Sequence, residues 1–321
     1  MSSNPAAEAS PSPDERVRLR AALSRALPEI PPIYFYDDHG SELFEQITRL
    51  PVYYPTRTEI GILGRHAPDI MSAVRPRHLV ELGSGAGRKI RLLLDAWQSV
   101  GGGETCTMLD VNALFLEQSI SRLRADYPGY SFRGVIGDFT ADLGRLGPGG
   151  ARLVVFFAGT IGNLFPEERR AFFREIARRM DPSDALLVGV DRVKDRARLE
   201  AAYNDPEGVT AAFNRNALSV VNRRFGANFD PTAFAHRAFY DAERAWIEMR
   251  LVASRRMEVH VPSLDLRLDL DRGAEIRTEV SCKFTRASLD AAAVDGGLTV
   301  THWYTDPDDL FALALLRRSD A

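Results

Sequence analysis

The chain has 321 residues, 45% of them hydrophobic, and its 41 basic and 44 acidic side chains leave a formal net charge of -3. That is enough apolar material for one large core or two moderate ones, and it excludes a fibrous or disordered chain. It also excludes the broad positive field that holds a phosphate backbone, so nucleic acid is not an expected partner and a small-molecule substrate is.

No apolar run approaches the roughly 20 residues of a membrane span, and no basic, then apolar, export signal opens the sequence. A cytoplasmic protein acting as a monomer, with no membrane partner, is expected. The two cysteines, Cys106 and Cys282, have no metal-ligand spacing, so two free thiols and no metal site are expected.

In chain order, residues 1–12 are small, polar and proline-bearing and predict a disordered tail. A helix is expected over 13–27. An aromatic-dense segment follows, with Tyr34, Phe35, Tyr36, Phe44, Tyr53 and Tyr54 around a short helix, SELFEQITRL. Thr56 and Glu59 have capping-box spacing and predict the start of a helix running to about Val74. Strands are then expected at 78–82, 105–111, 131–136, 152–158 and 184–191, with helices at 88–99, 112–126 and 167–180 between them. This alternation predicts a parallel, doubly wound α/β sheet.

After Asp191 the rhythm changes. Helices at 194–203 and 208–225 and strands at 246–254, 257–261 and 264–270 suit a separate α+β lobe. A helix near 287–294 and two strands, 298–304 and 310–316, joined by the turn residues Thr305 to Asp308, complete the first sheet as an antiparallel hairpin. The expected division is 58–192 plus 284–321 for a seven-stranded cofactor-binding domain, and 13–57 plus 193–283 for an inserted accessory domain that holds substrate.

Only three of the 41 basic residues are lysines: Lys89, Lys194 and Lys283. Lys89 falls in a glycine-rich loop, where a compact ammonium reaches an anionic group that a planar guanidinium would crowd. For Lys194 and Lys283, chance placement on a solvated surface is the competing expectation.

The first strand ends in LVELGSGAGRK. Gly83, Gly85 and Gly87 let the chain turn from strand to helix and approach a ligand at the carboxyl edge of the sheet. Arg88 stands where the third glycine of a nicotinamide fingerprint would fall, and no P-loop is present, so a cofactor without a pyrophosphate is favoured. Asp110, closing the second strand, suits a ribose, though a helix cap would use it equally. Asp138 and Phe139 suit an adenine amine and ring face, though a polar turn gives the same pair. The fourth strand runs into FFAGTIGNLF, which presents Gly159, Thr160, Gly162 and Asn163.

The runs FYDDHGSELFEQITRLPVYYPTRTE, VELGSG, GDF, GTIGNL, VKD, GVTAAFNRN, EVSCKF and THWYTDP, spread over residues 34 to 306, resemble those of the histidine-specific α-N-methyltransferases that make hercynine, the ergothioneine precursor. A seven-stranded sheet closed by a hairpin is the usual methyltransferase arrangement. The resemblance implies that Tyr53, Gly83, Lys89, Asp110, Asp138 and Phe139 contact S-adenosylmethionine, with Lys89 near its carboxylate. It also implies that Asn163 and Tyr203 hold the carboxylate of histidine and that Tyr36 and Tyr53 flank its amine as the catalytic pair. Glu279 and Ser281 would bond the imidazole, with Met249 packed beside it.

Where the family pattern has a threonine, a small residue and an acid, this chain has Ala86, Gly87 and Arg88, which bears on loop shape and cofactor affinity. Three readings compete: an enzyme for another free or modified aromatic amino acid, a non-catalytic adenosyl-ligand binder, and a nicotinamide oxidoreductase. Glu279 disfavours the first, since a plain indole satisfies it less well than an imidazole. The retained pocket residues disfavour the second, and Arg88 the third.

Overall fold

A computed structural model describes residues 11–147 and 149–319. Nine helices and twelve strands follow one another among them. In chain order they are α1 (Pro13–Leu23), α2 (Asp38–Ile47), α3 (Tyr54–Val74), β1 (His78–Leu82), α4 (Arg88–Ser99), β2 (Thr105–Asp110), α5 (Ala113–Asp126) and β3 (Ser131–Ile136). Then come β4 (Arg152–Phe156), α6 (Pro166–Arg179), β5 (Ala185–Asp191), α7 (Arg196–Ala201), α8 (Val209–Phe225), β6 (Phe234–Asp241) and β7 (Trp246–Ala253). The last are β8 (Met257–Val261), β9 (Leu266–Leu270), β10 (Glu275–Cys282), α9 (Arg286–Asp295), β11 (Leu298–Thr305) and β12 (Phe311–Arg318).

The tail expected over residues 1–12 lies outside the described residues as far as residue 10. Ser12 is an N-cap, its hydroxyl accepting from the backbone N–H of Glu15 at 3.2 Å.

The chain forms two compact units. One comprises residues up to Ile47, Tyr203–Phe239 and Glu248–Glu279, and the other Thr48–Ala202, Tyr240–Ile247 and Val280–Ala321. The second is larger than the domain expected from the sequence: it takes in 48–57, 193–202, 240–247 and 280–283. The reason is local, because Tyr54, Lys194 and Lys283 all converge on Asp191 at the end of β5.

The larger unit carries the seven-stranded sheet, in the order β11-β12-β5-β4-β1-β2-β3. β1 to β5 run parallel, while β12 pairs antiparallel with β5 and β11 antiparallel with β12. This is the doubly wound sheet with a closing hairpin that the strand rhythm predicts. Successive strand residues alternate between two cores: Val80, Leu82, Val154 and Phe156 face one helical layer, and Leu79, Val155 and Leu153 the other. The strand order reverses beside β1, and there the carboxyl ends of β1, β2 and β4 lie level: Leu82 pairs with both Leu109 and Phe156.

The smaller unit holds most of the three-stranded sheet β10-β7-β6 and the β8-β9 hairpin, with α1, α2 and α8. Within it, α2 and α8 pack together and the rings of Phe35 and Phe213 stack 4.5 Å apart. The run GVTAAFNRN is the start of α8, whose first turn is capped by the Asp205 carboxylate at 2.7 Å from the N–H groups of both Val209 and Thr210. A Cβ on Gly40 would lie 1.6 Å from the Phe35 carbonyl oxygen, so only glycine fits where α2 starts.

One expectation fails. Thr56 and Glu59 form no capping box, because α3 already begins at Tyr54 with Pro55 in its first turn. The Glu59 carboxylate is used elsewhere.

Candidate active site

All six residues assigned to the cofactor belong to the larger unit, five of them at the carboxyl ends of β1, β2 and β3 or on the segment that follows. Gly83, Gly85 and Gly87 have φ of +69°, +49° and +66°, the left-handed region that side chains avoid. A Cβ at Gly83 or Gly85 would meet nothing within 4 Å, so the backbone there borders open space. Gly87 closes a turn onto the Ser84 carbonyl and starts α4, and Arg88 turns outward to donate to the Thr48 hydroxyl at 2.9 Å. The departure from the family pattern thus leaves the front of the loop clear.

Asp110 shapes the loop. One carboxylate oxygen accepts from the Gly85 N–H at 2.9 Å and the other from the Asn112 N–H at 2.9 Å. Burial pushes its pKa above the usual carboxylate range, against those backbone bonds. The helix cap left open as an alternative falls instead to Asn112, whose side chain accepts from the Phe115 N–H.

After β3, Asp138 accepts from the Thr140 N–H and hydroxyl, both at 2.8 Å, and its own N–H donates to Asp142. A Cβ on Gly137 would lie 2.5 Å from that Asp142 carboxylate, which accounts for glycine there. The Phe139 ring packs on Phe156 with centroids 4.8 Å apart. Tyr53, 8% exposed, is the N-cap residue of α3.

Two functional carboxylates escaped the sequence reading. Glu59, fully buried on α3, accepts from the Ala158 N–H at 2.9 Å and from Lys89 at 2.6 Å. It fixes the ammonium assigned to the carboxylate of the cofactor. Glu81 is 2% exposed at the end of β1, and its Oε2 has no hydrogen-bond partner. Burial raises its pKa well above the ordinary value, the nearby Lys89 opposing the rise and Asp110 and Glu59 adding to it. The signal for Glu81 was an acid inside an otherwise apolar strand. Glu59 had none beyond its false capping spacing.

An unpartnered buried carboxylate beside a glycine loop facing open space fits a ligand with a cationic amine, and S-adenosylmethionine carries one.

The residues assigned to substrate divide between the units. In the larger unit, the Asn163 amide donates to the Val280 carbonyl at 2.9 Å, and Ser281 is buried at the end of β10. The loop bearing Asn163 packs tightly on the same strand, since a Cβ on Gly162 would lie 2.8 Å from the Cys282 carbonyl oxygen.

In the smaller unit, Tyr36 meets Phe44 and Phe213 edge-on at 5.9 and 5.8 Å. Met249 is 2% exposed on β7, and Glu279 is half-buried on β10. Tyr203 is 8% exposed just past α7, not on a helix surface, and its carbonyl accepts from His236 Nε2 at 2.8 Å. Asn214 approaches the other ring nitrogen at 2.8 Å. Burial lowers the pKa of His236, which favours the neutral tautomer this arrangement needs.

The chain matches, over residues 15–318, the family described as histidine-specific methyltransferase, SAM-dependent. It is 47% identical over 300 residues to histidine N-alpha-methyltransferase from Mycolicibacterium smegmatis, covering 94% of both chains. The counterpart from Mycobacterium tuberculosis is 46% identical, with 92% of each covered. The chain belongs to this family.

Membership of the histidine-specific methyltransferases makes the protein an S-adenosylmethionine-dependent N-methyltransferase with a small-molecule substrate. A more distant relative, ergothioneine biosynthesis protein 1 of Schizosaccharomyces pombe, is 30% identical over 69% of this chain and 31% of its own length. No helix among the described residues is long and apolar enough to cross a membrane.

Proposed function

We infer that the protein transfers methyl groups from S-adenosylmethionine to the α-amine of L-histidine, three times in succession, giving hercynine for ergothioneine biosynthesis. The observation that carries this reading is the histidine-specific family match along residues 15–318, with every residue the resemblance assigned to substrate present in the chain.

Bound S-adenosylmethionine supplies a methyl group on a sulfonium, open to in-line displacement by a neutral amine. The protein's own work is then alignment and exclusion of water. In this reading Glu81 takes the cofactor's amine, Lys89 its carboxylate, Asp110 its ribose hydroxyls, and Asp138 with Phe139 its adenine. The Tyr53 and Tyr36 hydroxyls orient the lone pair of the acceptor amine. Their rings give cation-π stabilisation to the ammonium that grows with each methyl. The amine loses its proton to solvent before each transfer, so no strong base is required.

Asn163 and Tyr203 take the substrate carboxylate, Glu279 and Ser281 the imidazole, and Met249 packs against the ring. A carboxylate at 279 rejects side chains without a ring N–H, because they leave it unpaired.

The test is mass spectrometry of the purified protein incubated with S-adenosylmethionine and an equimolar mixture of free amino acids. Histidine alone should gain methyls, up to three. Modification of another amino acid in its place refutes the acceptor assignment.

A further inference from the structure

Lys283 has a place in substrate recognition that the assigned residues do not include. It stands two residues beyond Ser281, so both side chains leave the extended backbone on the same side. The segment is held rigidly: the Lys283 N–H donates to Ala245 at 2.7 Å, the Phe284 N–H donates to Asp191 at 2.8 Å, and the Gly162 loop presses on Cys282. The Lys283 side chain is fully buried.

Its ammonium lies 2.9 Å from one Asp191 oxygen and 2.8 Å from Ser281 Oγ. Asp191 is in turn gripped by Lys194 and by the Tyr54 hydroxyl, 2.8 Å from both of its oxygens. Burial would raise the Asp191 pKa, but Lys283 and Lys194 outweigh it and hold the carboxyl below its usual range. The cluster is therefore two ammoniums around one carboxylate.

An ammonium has three donors and no lone pair. Where Lys283 meets Ser281, the serine oxygen must accept, and its hydroxyl hydrogen is directed to a different acceptor. We propose that Lys283 is a positioning residue that sets the hydrogen-bond polarity of Ser281, turning the serine into an obligatory donor toward the substrate ring. This rests on the reading that Ser281 meets the imidazole.

The consequence is a specificity rule. The ring atom facing Ser281 must carry a lone pair, so the substrate enters as a neutral imidazole with its N–H on the other nitrogen. The excess positive charge of the cluster disfavours the imidazolium as well. A ring offering C–H or N–H to Ser281 leaves a buried donor without an acceptor.

The native enzyme supplies the first measurement. Pyrrol-2-ylalanine and pyrrol-3-ylalanine each replace one ring nitrogen of histidine by C–H and keep the other as N–H, so neither has an acceptor. Both should fall about 100-fold or more below histidine in kcat/KM. If either is used within about threefold of histidine while histidine itself is methylated, the proposal is overturned and the functional reading survives. If histidine is not methylated at all, both fail.

A mutant cycle supplies the second measurement. Lys283→Met should raise the KM for histidine about tenfold, leave kcat within about threefold and leave the KM for S-adenosylmethionine unchanged. Ser281→Ala should do the same, and the double variant should be no worse than Ser281→Ala alone. A Lys283→Met penalty that persists in full in the Ser281→Ala background marks a merely structural lysine and overturns the proposal. Should Lys283→Met fail to fold, the pyrrolyl substrates with native enzyme still decide.

Discussion

Replacing Lys89 by methionine separates what the ion pair with Glu59 does for folding from what it does for the cofactor. Glu59 is fully buried and Lys89 15% exposed, with 2.6 Å between them. The site cannot relax around a lone carboxylate, because a Cβ on Gly189 would sit 2.0 Å from a Glu59 oxygen. Lys89→Met therefore strands a buried charge whose only other partner is the Ala158 N–H.

Breaking one side of a buried pair costs about 3–5 kcal/mol; the water that reaches Lys89 places this site near the lower end, about 3 kcal/mol. The stranded carboxyl has its folded pKa raised. Stability in the variant should therefore be present at low pH and lost as pH rises through that pKa, which the native protein should not show.

Adding Glu59→Gln removes the charge while keeping an acceptor for Ala158, so the double variant should recover all but about 1 kcal/mol. Urea denaturation at pH 5.5 and 8 reads the folding side, and calorimetric titration with S-adenosylmethionine reads the other. The double variant should fold yet bind the cofactor at least tenfold more weakly. A well-folded double variant with native affinity would refute the role given to Lys89, and an unchanged denaturation midpoint in Lys89→Met would refute the energetics.

Three further outcomes follow from the same geometry. Glu81 has its pKa raised by burial and loses its proton to meet a cationic amine, so cofactor binding should release a proton and tighten as pH rises. Calorimetry in buffers of different ionisation enthalpy measures that release, and Glu81→Gln should abolish it. Gly162→Ala drives a methyl into the backbone beside Ser281 and should destabilise by about 1–3 kcal/mol while raising the KM for histidine more than that for S-adenosylmethionine, as read by steady-state kinetics. His236 has its folded pKa depressed, so its contribution is present above pH ~6.5 and lost as pH falls, by at most about 1.4 kcal/mol per unit. Denaturation between pH 7.5 and 5.5 should show that loss in the native protein and a shallower one in His236→Gln.

The sheet was legible because its strands are short apolar runs with helices of helical period between them, and because glycine and acid fall where strands end. β1, β3 and α4 begin and end where that pattern puts them. The smaller unit was less legible for a physical reason. β6 and β10 alternate apolar residues with charged ones, as in EIRTEVSC, and the charges are not solvated: Arg250 pairs with Glu248 and Glu275, and Arg277 lies 3.3 Å from Glu248. Polar residues satisfied by one another from distant strands leave no trace in a local pattern. Glu59 misled for a related reason, since its spacing from Thr56 suggested a local cap while its partners are 30 and 99 residues away.

The rarity of lysine also acquires a cause. Lys194 and Lys283 do not lie on a solvated surface; with Lys89 they are all buried against carboxylates. A buried arginine is possible in this protein, but only with many acceptors: Arg152, paired with Asp184, also donates to the carbonyls of Gly147 and Arg179. The lysine sites offer fewer. Lys194 meets Tyr54 and Asp191, Lys283 meets Asp191 and Ser281, and Lys89 meets Glu59 with the Phe157 ring 5.7 Å away. A guanidinium carries five N–H donors and would leave several unmatched at each position, whereas an ammonium carries three. In a chain that otherwise uses arginine for positive charge, each lysine therefore marks a cramped, anion-lined spot at the carboxyl edge of the sheet, where the cofactor and substrate residues also stand.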